Sequence, residues 1–336
     1  MYEVEYGVLK KMIKNFCKNR ASGRIIFDAE NFEYYYENNK NHGINPEVLV
    51  PISFCWLIEN NCNLDCIYCF SDHKKIGIEN NDYIETAKNI LSLDPLTIVL
   101  TGGEPTLNKN LKEILDFIDG DALTIIDSNG TTDVWSELIP SLKNSIVRFS
   151  IDSLNENTIN KVRPSSNRIF TSNQIPTITK NIRILSSNDI LVTIQTVVTR
   201  YNINELDEIY NYLVQNGIKH WYLSVVKYSE KCSNIYSDIY PTDEEIKLIK
   251  HKIKTYNQKK IKVKLSIEKS DFDNSRVFID KTGKFFVELV DKGITYIGAN
   301  PTKPTISEIC NELNLTTFYD LYINKKNIVN LDDISE

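Results

Sequence analysis

The sequence has no long hydrophobic run, no excess of basic residues and no recognisable export signal. An apolar run of about 18 residues, which a membrane-spanning helix requires, does not occur. The first residues, MYEVEYGVLKKMIKNF, lack the continuous apolar stretch of a secretory signal. The formal net charge of -6 provides no global basic field for nucleic acid. These absences predict a cytoplasmic protein that contacts neither membranes nor nucleic acid.

Cysteine is also scarce, and its distribution is uneven. Seven cysteines occur in 336 residues, and three of them lie in CNLDCIYC, residues 62–69. A small, odd number of cysteines argues against a disulfide framework and for a reducing compartment. The grouping of Cys62, Cys66 and Cys69 therefore indicates a metal site.

Six short apolar segments, each followed by a helical pattern, dominate the chain from residue 51 onward. Near-continuous apolar runs are typical of parallel strands buried on both faces. The predicted strands are 52–59, 97–102, 123–128, 146–152, 191–199 and 220–227. The helical stripes between them include Leu111, Ile114, Leu115, Ile118, Leu206, Ile209, Tyr210 and Leu213. This alternation predicts an α/β fold with parallel strands, either a partial (β/α)6 barrel of the TIM type or a doubly wound sheet.

The alternation ends near residue 228, where we predict a domain boundary. Residues 1–50 are predicted to form an N-terminal extension with a short amphipathic helix at VLKKMIKNF, and residues 51–228 form the barrel. Residues 229–336 are predicted to form a small α+β extension. Its expected elements are a lysine-rich helix that begins at Asp243, a hairpin at VFIDKTGKFFVEL and a short helix at ISEICNEL.

The three grouped cysteines follow the first predicted strand, where parallel α/β folds place their binding sites. Their flanking residues are polar, which argues against three core cysteines that are close by chance. Zinc is one alternative, since His73 would complete a set of three cysteines and one histidine. An iron–sulfur cluster is the other, because closely spaced cysteines on a loop bind such clusters. Three thiolates on a four-iron cluster would leave one iron open to a ligand.

CNLDCIYC resembles the C-x3-C-x2-C motif of the radical S-adenosylmethionine (radical SAM) enzymes, with the aromatic residue Tyr68 before the last cysteine. Further segments match the family in order and spacing over about residues 51–228. They are TGGEP (101–105), DSNG (127–130), FSIDS (149–153), Arg163 in INKVRP, and VTIQTVVT (192–199).

The resemblance implies a single 4Fe-4S cluster on Cys62, Cys66 and Cys69, with SAM bound at the open iron. The remaining cofactor-binding residues that the resemblance implies are Tyr68, Gly102, Gly103, Glu104, Pro105, Ser128, Asn129, Ser150, Asp152, Arg163 and Gln195. Among them, the TGGEP segment would hold the amino group of SAM. Arg163 would suit the carboxylate of SAM, or equally a surface ion pair. Gln195 would touch the cofactor, or serve as a hydrogen-bonded polar residue of the barrel.

The resemblance further implies a 5′-deoxyadenosyl radical that abstracts hydrogen from a substrate, with electrons from a flavodoxin or ferredoxin. The C-terminal region resembles the SPASM extension of peptide-modifying members, which favours a peptide or protein substrate. The alternatives are a small-metabolite substrate, or a non-catalytic iron–sulfur or zinc-binding interaction protein on the same fold.

Two cysteines of the C-terminal third are of separate interest. Only Cys232 and Cys310 occur there, too few for the auxiliary clusters of the SPASM extension. Cys232 follows the last predicted barrel strand, near the open mouth. We expect it either to return a hydrogen atom to a substrate radical or to be an ordinary loop cysteine.

Overall fold

The computed structural model describes residues 15–20, 23–28, 33–38, 53–69, 82–166, 174–266, 277–289, 293–313 and 329–330. These residues form two sheets. The four-stranded sheet has the order β1-β2-β3-β14 and the ten-stranded sheet the order β10-β9-β8-β7-β6-β5-β4-β11-β12-β13. The strands are β1 Asn15–Arg20, β2 Gly23–Asp28, β3 Glu33–Asn38, β4 Ser53–Glu59, β5 Thr97–Gly102, β6 Leu123–Ser128, β7 Ser145–Ser150, β8 Leu191–Val198, β9 His220–Val225, β10 Lys262–Ser266, β11 Val277–Ile279, β12 Phe285–Leu289, β13 Gly293–Tyr296 and β14 Val329–Asn330.

The large sheet is mostly parallel, which confirms the α/β class. Strands β4 to β9 are the six predicted strands, and each bound lies within two residues of its prediction. Two more parallel strands extend the sheet, since β10 pairs with β9 and β11 pairs with β4. The fold is therefore an open, partial barrel of eight parallel strands, followed by the antiparallel pairs β11–β12 and β12–β13.

Helices cover the outer face of the large sheet. They are α1 Tyr83–Leu91, α2 Leu111–Ile118, α3 Trp135–Leu138, α4 Glu156–Val162, α5 Gln174–Ser187, α6 Leu206–Gln215, α7 Tyr236–Ile239, α8 Asp243–Asn257 and α9 Ile306–Glu312. The apolar stripes predicted for α2 and α6 are buried throughout. No helix of the described chain is long and apolar enough to span a membrane.

The two faces of the barrel strands differ in exposure. Phe149 of β7 packs edge-on against Trp135, and Trp221 of β9 packs against Tyr256, so both face the helices and are fully buried. The alternate residues of these strands point to the opposite face, which we call the inner face. Arg148, Ser150, Gln195, Tyr222 and Ser224 lie on it, and each is partly exposed. The inner face is therefore polar and accessible.

The predicted N-terminal helix is wrong over the part that the structure describes. Asn15 and Phe16, its last two residues, belong to β1 and pair with Asp28 and Phe27 of β2. Ladder pairing with a neighbouring strand overrides the helical spacing, as tertiary contacts often override local propensity. Residues 8–14 of the predicted helix lie outside the described residues.

The sheet continues past the boundary that we predicted at residue 228. Helix α8 and strand β10 repeat the β–α alternation once more beyond it. The predicted hairpin is present, with Phe278 and Ile279 opposite Phe286 and Phe285. Its first strand also pairs with β4, so the C-terminal region shares the barrel's sheet.

Candidate active site

The cysteine loop, residues 60–69, leaves the carboxyl end of β4. Cys62, Cys66 and Cys69 are partly exposed, and none forms a disulfide. Burial raises the pKa of the Cys62 and Cys66 thiols to about 11. Each of these thiols interacts electrostatically with another of the three, Cys62 with Cys69 and Cys66 with Cys62. The loop therefore groups three thiols where the sequence predicted a metal site.

The TGGEP segment at the end of β5 is joined to the start of this loop by backbone hydrogen bonds. Gly103 N donates to Glu59 O at 2.6 Å, and Glu104 N donates to Asn61 O at 2.8 Å. A Cβ atom on Gly102 would lie 2.1 Å from Glu59 O, and one on Gly103 would lie 2.2 Å from Asn61 O. The two glycines are therefore required by the close approach of the chain's own backbone, whether or not a ligand is bound.

The Glu104 carboxylate is fully buried and accepts four hydrogen bonds. Oε1 accepts from Thr106 N at 3.1 Å, from Thr106 Oγ1 at 2.6 Å and from Ser128 Oγ at 2.8 Å, and Oε2 accepts from Asn129 N at 2.7 Å. Burial raises the pKa of Glu104 despite these donors. Pro105 begins the one-turn 3-10 helix that follows. Glu104 thus ties the end of β5 to the turn after β6.

Asn129 connects this turn to the cysteine loop. Its Nδ2 donates to Asn63 Oδ1 at 2.7 Å and approaches Cys62 Sγ at 3.8 Å. Its Oδ1 accepts from Thr131 N and Oγ1, and Asn63 Nδ2 donates to Thr131 Oγ1 at 2.8 Å. The sequence singled out Asn129 and treated Asn63 only as one of the polar residues that flank the cysteines. Thr106 and Thr131 were missed, because threonines in turns carry no distinguishing signal.

A third segment, residues 162–166, runs along the other side of the cysteine loop. Asp65 N donates to Pro164 O at 2.7 Å, Ile67 N to Val162 O at 3.0 Å, and Ser166 N to Asn63 O at 3.0 Å. These bonds form a short antiparallel contact centred on Leu64 and Ser165. Segments at the end of β5 and at the end of α4 therefore hold the backbone of the cysteine loop. The turn after β6 holds the Asn63 side chain of the loop.

Tyr68, Asp152 and Arg163 form a connected group behind the cysteines. The Tyr68 hydroxyl donates to Asp152 Oδ2, Val197 N donates to Oδ1 at 2.7 Å, and Arg163 Nε lies 3.7 Å from Oδ2. The Arg163 side chain is 3% exposed and donates to the carbonyl oxygens of Ser150 and Asn129. Of the two alternatives, the surface ion pair is thus wrong, because Arg163 is buried among the predicted cofactor-binding residues.

Ser150 and Gln195 lie side by side on the inner face, as neighbours in the β7–β8 register. Both are partly exposed, and neither side chain makes a hydrogen bond to any residue in the described part of the chain. Among the described residues Gln195 has no hydrogen-bond partner, so the alternative of a hydrogen-bonded barrel residue is wrong there. Both side chains are available to a ligand on the inner face.

Cys232 does not meet the geometric requirement for a hydrogen donor to substrate. It is fully buried in a small cluster with Val226 and Ile239. Ser229 N approaches its Sγ at 3.3 Å, and the thiol lies 3.4 Å from Ser229 O, so Cys232 caps a one-turn helix. This is the ordinary loop cysteine of the two alternatives, because a fully buried thiol cannot reach a substrate radical.

The donor set fits an iron–sulfur cluster. It offers three thiols that form no disulfide on one loop and a buried cation, Arg163, that interacts electrostatically with Cys62 and Cys66. Within the described ranges, no three Cys, His, Asp or Glu side chains are arranged to hold a single metal ion. His73, which the zinc alternative requires, lies outside those ranges.

These features define an α/β enzyme class with a three-cysteine loop at the carboxyl end of a partial barrel. The sequence model of the Radical SAM superfamily matches residues 56–213. Uncharacterized protein MJ0907 of Methanocaldococcus jannaschii is 32% identical over 213 residues, which make up 59% of this chain and 70% of that protein. The chain therefore belongs to the radical SAM superfamily, and it is an enzyme. The cofactors of that family are a 4Fe-4S cluster and SAM, as predicted.

Two further similarities are to a maturation protein and to a solved structure with bound S-adenosylmethionine. The sporulation killing factor maturation protein SkfB of Bacillus subtilis is 27% identical over 167 residues, which cover 48% of this chain and 39% of that protein. The structure of Streptococcus suis SuiB bound to S-adenosylmethionine matches with a TM-score of 0.61 over 85% of each chain, at 12% identity. At this identity the second match establishes a shared fold alone.

Proposed function

We propose that this enzyme cleaves SAM reductively and abstracts hydrogen from a peptide or protein substrate. The observation that carries the proposal is the group of three thiols, none of them in a disulfide, on a loop held from three sides. Cys62, Cys66 and Cys69 would hold the 4Fe-4S cluster. When bound, the cluster and SAM supply a 5′-deoxyadenosyl radical, and a flavodoxin or ferredoxin would supply the electron.

The residues around the loop would bind and orient SAM. Ser150 and Gln195 offer a hydroxyl and an amide on the inner face beside the cysteine loop. Glu104 and Asn129 are occupied by contacts that fix the loop, so we assign them to positioning as well as to cofactor binding. Arg163 adds a buried positive charge next to the thiols, which favours the anionic cluster and the carboxylate of SAM.

The peptide or protein substrate is supported by the similar proteins. One solved structure of SuiB is bound to its precursor peptide SuiA, and SkfB is named as a maturation protein. The open inner face offers room for part of a substrate at the carboxyl ends of the strands. Anaerobic co-expression with short peptides encoded beside its gene, followed by mass spectrometry, tests this substrate class. A mass change that requires Cys66 supports it, and a mass change only in a small metabolite contradicts it.

Anaerobic reconstitution of the whole chain tests the reaction itself. We expect about four irons per chain and 5′-deoxyadenosine after addition of dithionite and SAM. Cys66→Ala should abolish both, because it removes one of three cluster ligands. Cys17→Ala is the matched control, since Cys17 is exposed on β1, and it should leave both unchanged. A colourless protein that binds zinc and forms no 5′-deoxyadenosine would contradict the proposal.

A further inference from the structure

Arg148 projects from β7 across the inner face. It contacts Asp127 on the neighbouring strand β6, and its guanidinium lies 5.6 Å from the ring centre of Tyr222 on β9, two strands away on the other side. It also interacts electrostatically with Cys55 of β4. A side chain that contacts Asp127 on one side and faces the Tyr222 ring on the other lies inside the partial barrel. The Arg148 side chain is 19% exposed there.

Asp127 holds one edge of this guanidinium and leaves the other open. Arg148 Nε donates to Asp127 Oδ1 at 2.7 Å, and Nη2 donates to Oδ2 at 2.6 Å. The second edge consists of Nη1 and the outer N–H of Nη2, and it has no partner in the described part of the chain. Two parallel N–H donors in this geometry match the two oxygens of a carboxylate. Asp127 and the Tyr222 ring fix the orientation of the fork, which lowers the entropic cost of binding.

Three polar side chains of β7 and β8 on the inner face make no hydrogen bond within the described part of the chain. Thr193 is the register partner of Arg148 on β8; it is fully buried, and its hydroxyl has no partner among the described residues. Ser150 and Gln195 lie two residues further along their strands, about 7 Å nearer the cysteine loop. Ser150 and Gln195 are partly exposed and accessible to a ligand on the inner face, whereas the Thr193 hydroxyl is enclosed.

We propose that Arg148 anchors a carboxylate of the substrate inside the barrel. The group would be a side-chain or terminal carboxylate, held by the open edge of Arg148. The rest of the substrate would extend past Ser150 and Gln195 toward the cysteine loop, where the radical is generated. The proposal names a substrate class for the proposed reaction and rests on it for the chemistry, whereas the binding is measured without any reaction.

A pair of small probes tests the carboxylate site on the reconstituted full chain with SAM and without reductant. N-acetylglycine carries a carboxylate, and N-acetylglycinamide is its uncharged counterpart. Saturation-transfer NMR should show N-acetylglycine bound at least tenfold more tightly than the amide. Arg148→Gln should weaken acid binding at least tenfold, and Arg148→Lys should give an intermediate loss, because it keeps the charge and loses the fork.

Two further variants distinguish a loss of acid binding from a loss of the folded structure. The double change Asp127→Asn with Arg148→Gln removes both charges, so no partly buried carboxylate is left unpaired. It should lose acid binding with an unchanged near-UV spectrum. Asp127→Asn alone should retain acid binding, because the fork persists without its competing anion. Arg200→Gln is the matched control, since Arg200 is an exposed arginine paired with Glu245, and it should have no effect.

Equal binding of acid and amide by the unaltered protein would overturn the proposal, as would acid binding that persists in Arg148→Gln. Formation of 5′-deoxyadenosine, measured on the same samples after reduction, separates this site from the proposed reaction. If acid binding does not depend on Arg148 but SAM is cleaved, the result counts against the carboxylate site alone. Intact Arg148-dependent binding without SAM cleavage counts against the reaction alone.

Discussion

At Gly103 the chain has no space for a side chain, although its backbone conformation is ordinary. The atoms that a Cβ would meet are backbone atoms of Asn60 and Asn61, which cannot rotate away as a side chain would. The glycine is thus a packing requirement of the loop that carries Cys62. This role differs from that of Gly120, where the positive φ is the constraint and nothing lies within 4 Å of a Cβ.

Gly103→Ala should therefore lower the free energy of unfolding by about 3 kcal/mol, the upper range for an overpacked site. Gly120→Ala is the control, and its left-handed backbone should cost only about 1 kcal/mol. Urea denaturation of both variants measures the difference. Gly103→Ala should also reduce the iron bound after reconstitution, because its clash lies at Asn60 and Asn61, next to the cysteines. An equal effect of the two changes on stability would contradict this explanation.

The identities of the site residues could be predicted from the sequence far better than their contacts. The spacing of Cys62, Cys66 and Cys69 is a local signal, and Glu104 follows two glycines at the end of a recognisable strand. The connections of Glu104 to Ser128 and Asn129 join different strands, and their partners follow only from the register of the sheet. Cys232 illustrates the limit, because its position after β9 was predicted correctly and its burial was not.

Among the elements, α8 has the clearest local determinant of its start. Thr242 Oγ1 accepts from Glu245 N at 3.2 Å, and Glu245 Oε2 accepts from Thr242 N at 2.7 Å, which together form a capping box. The helix buries Ile249, Ile253 and Tyr256 against the barrel. Its lysines are on the remaining, mostly exposed positions.

Thr242→Ala should destabilise the protein by about 1 kcal/mol, because the backbone N–H of Glu245 at the helix start loses its partner. Thr255→Ala in the same helix is the control, since Thr255 is exposed and alanine favours helix. Thermal unfolding followed by circular dichroism compares the two. A loss at Thr255 as large as that at Thr242 would show that the capping box contributes nothing.

Strand β10 shows why one element escaped prediction. Its residues, KVKLS, alternate lysine with apolar side chains, and only Val263 is fully buried. The six predicted strands were recognised as continuous apolar runs, whereas β10 pairs on a single side among the described strands. Burial on one face gives an alternating pattern, and that pattern is weak over five residues.

For the whole molecule, the large sheet continues across the predicted boundary at residue 228. Strand β9 pairs with β10 and β4 pairs with β11, and both partners come from beyond this boundary. Tyr256 of α8 also packs against Trp221 and Tyr210 of the barrel. Residues 229–336 thus supply part of the barrel's own core.

A chain that ends at residue 228 should therefore fail to fold cooperatively. It would expose two strand edges and the apolar surface that α8 covers, which favours aggregation. Expression of residues 1–228 beside the full chain, with near-UV circular dichroism and urea denaturation, measures this. A soluble, cooperatively unfolding product of residues 1–228 would restore the boundary as an independent domain limit.

The partly exposed inner face also governs how substrate binding responds to temperature. Water reaches Arg148, Gln195 and Tyr222, so a substrate that enters the barrel displaces hydration from protein and ligand alike. Loss of hydration at apolar surface gives binding a negative heat-capacity change. The affinity should then pass through a maximum as temperature rises, and the steepness of its decline on either side will report how much of the substrate lies inside the barrel.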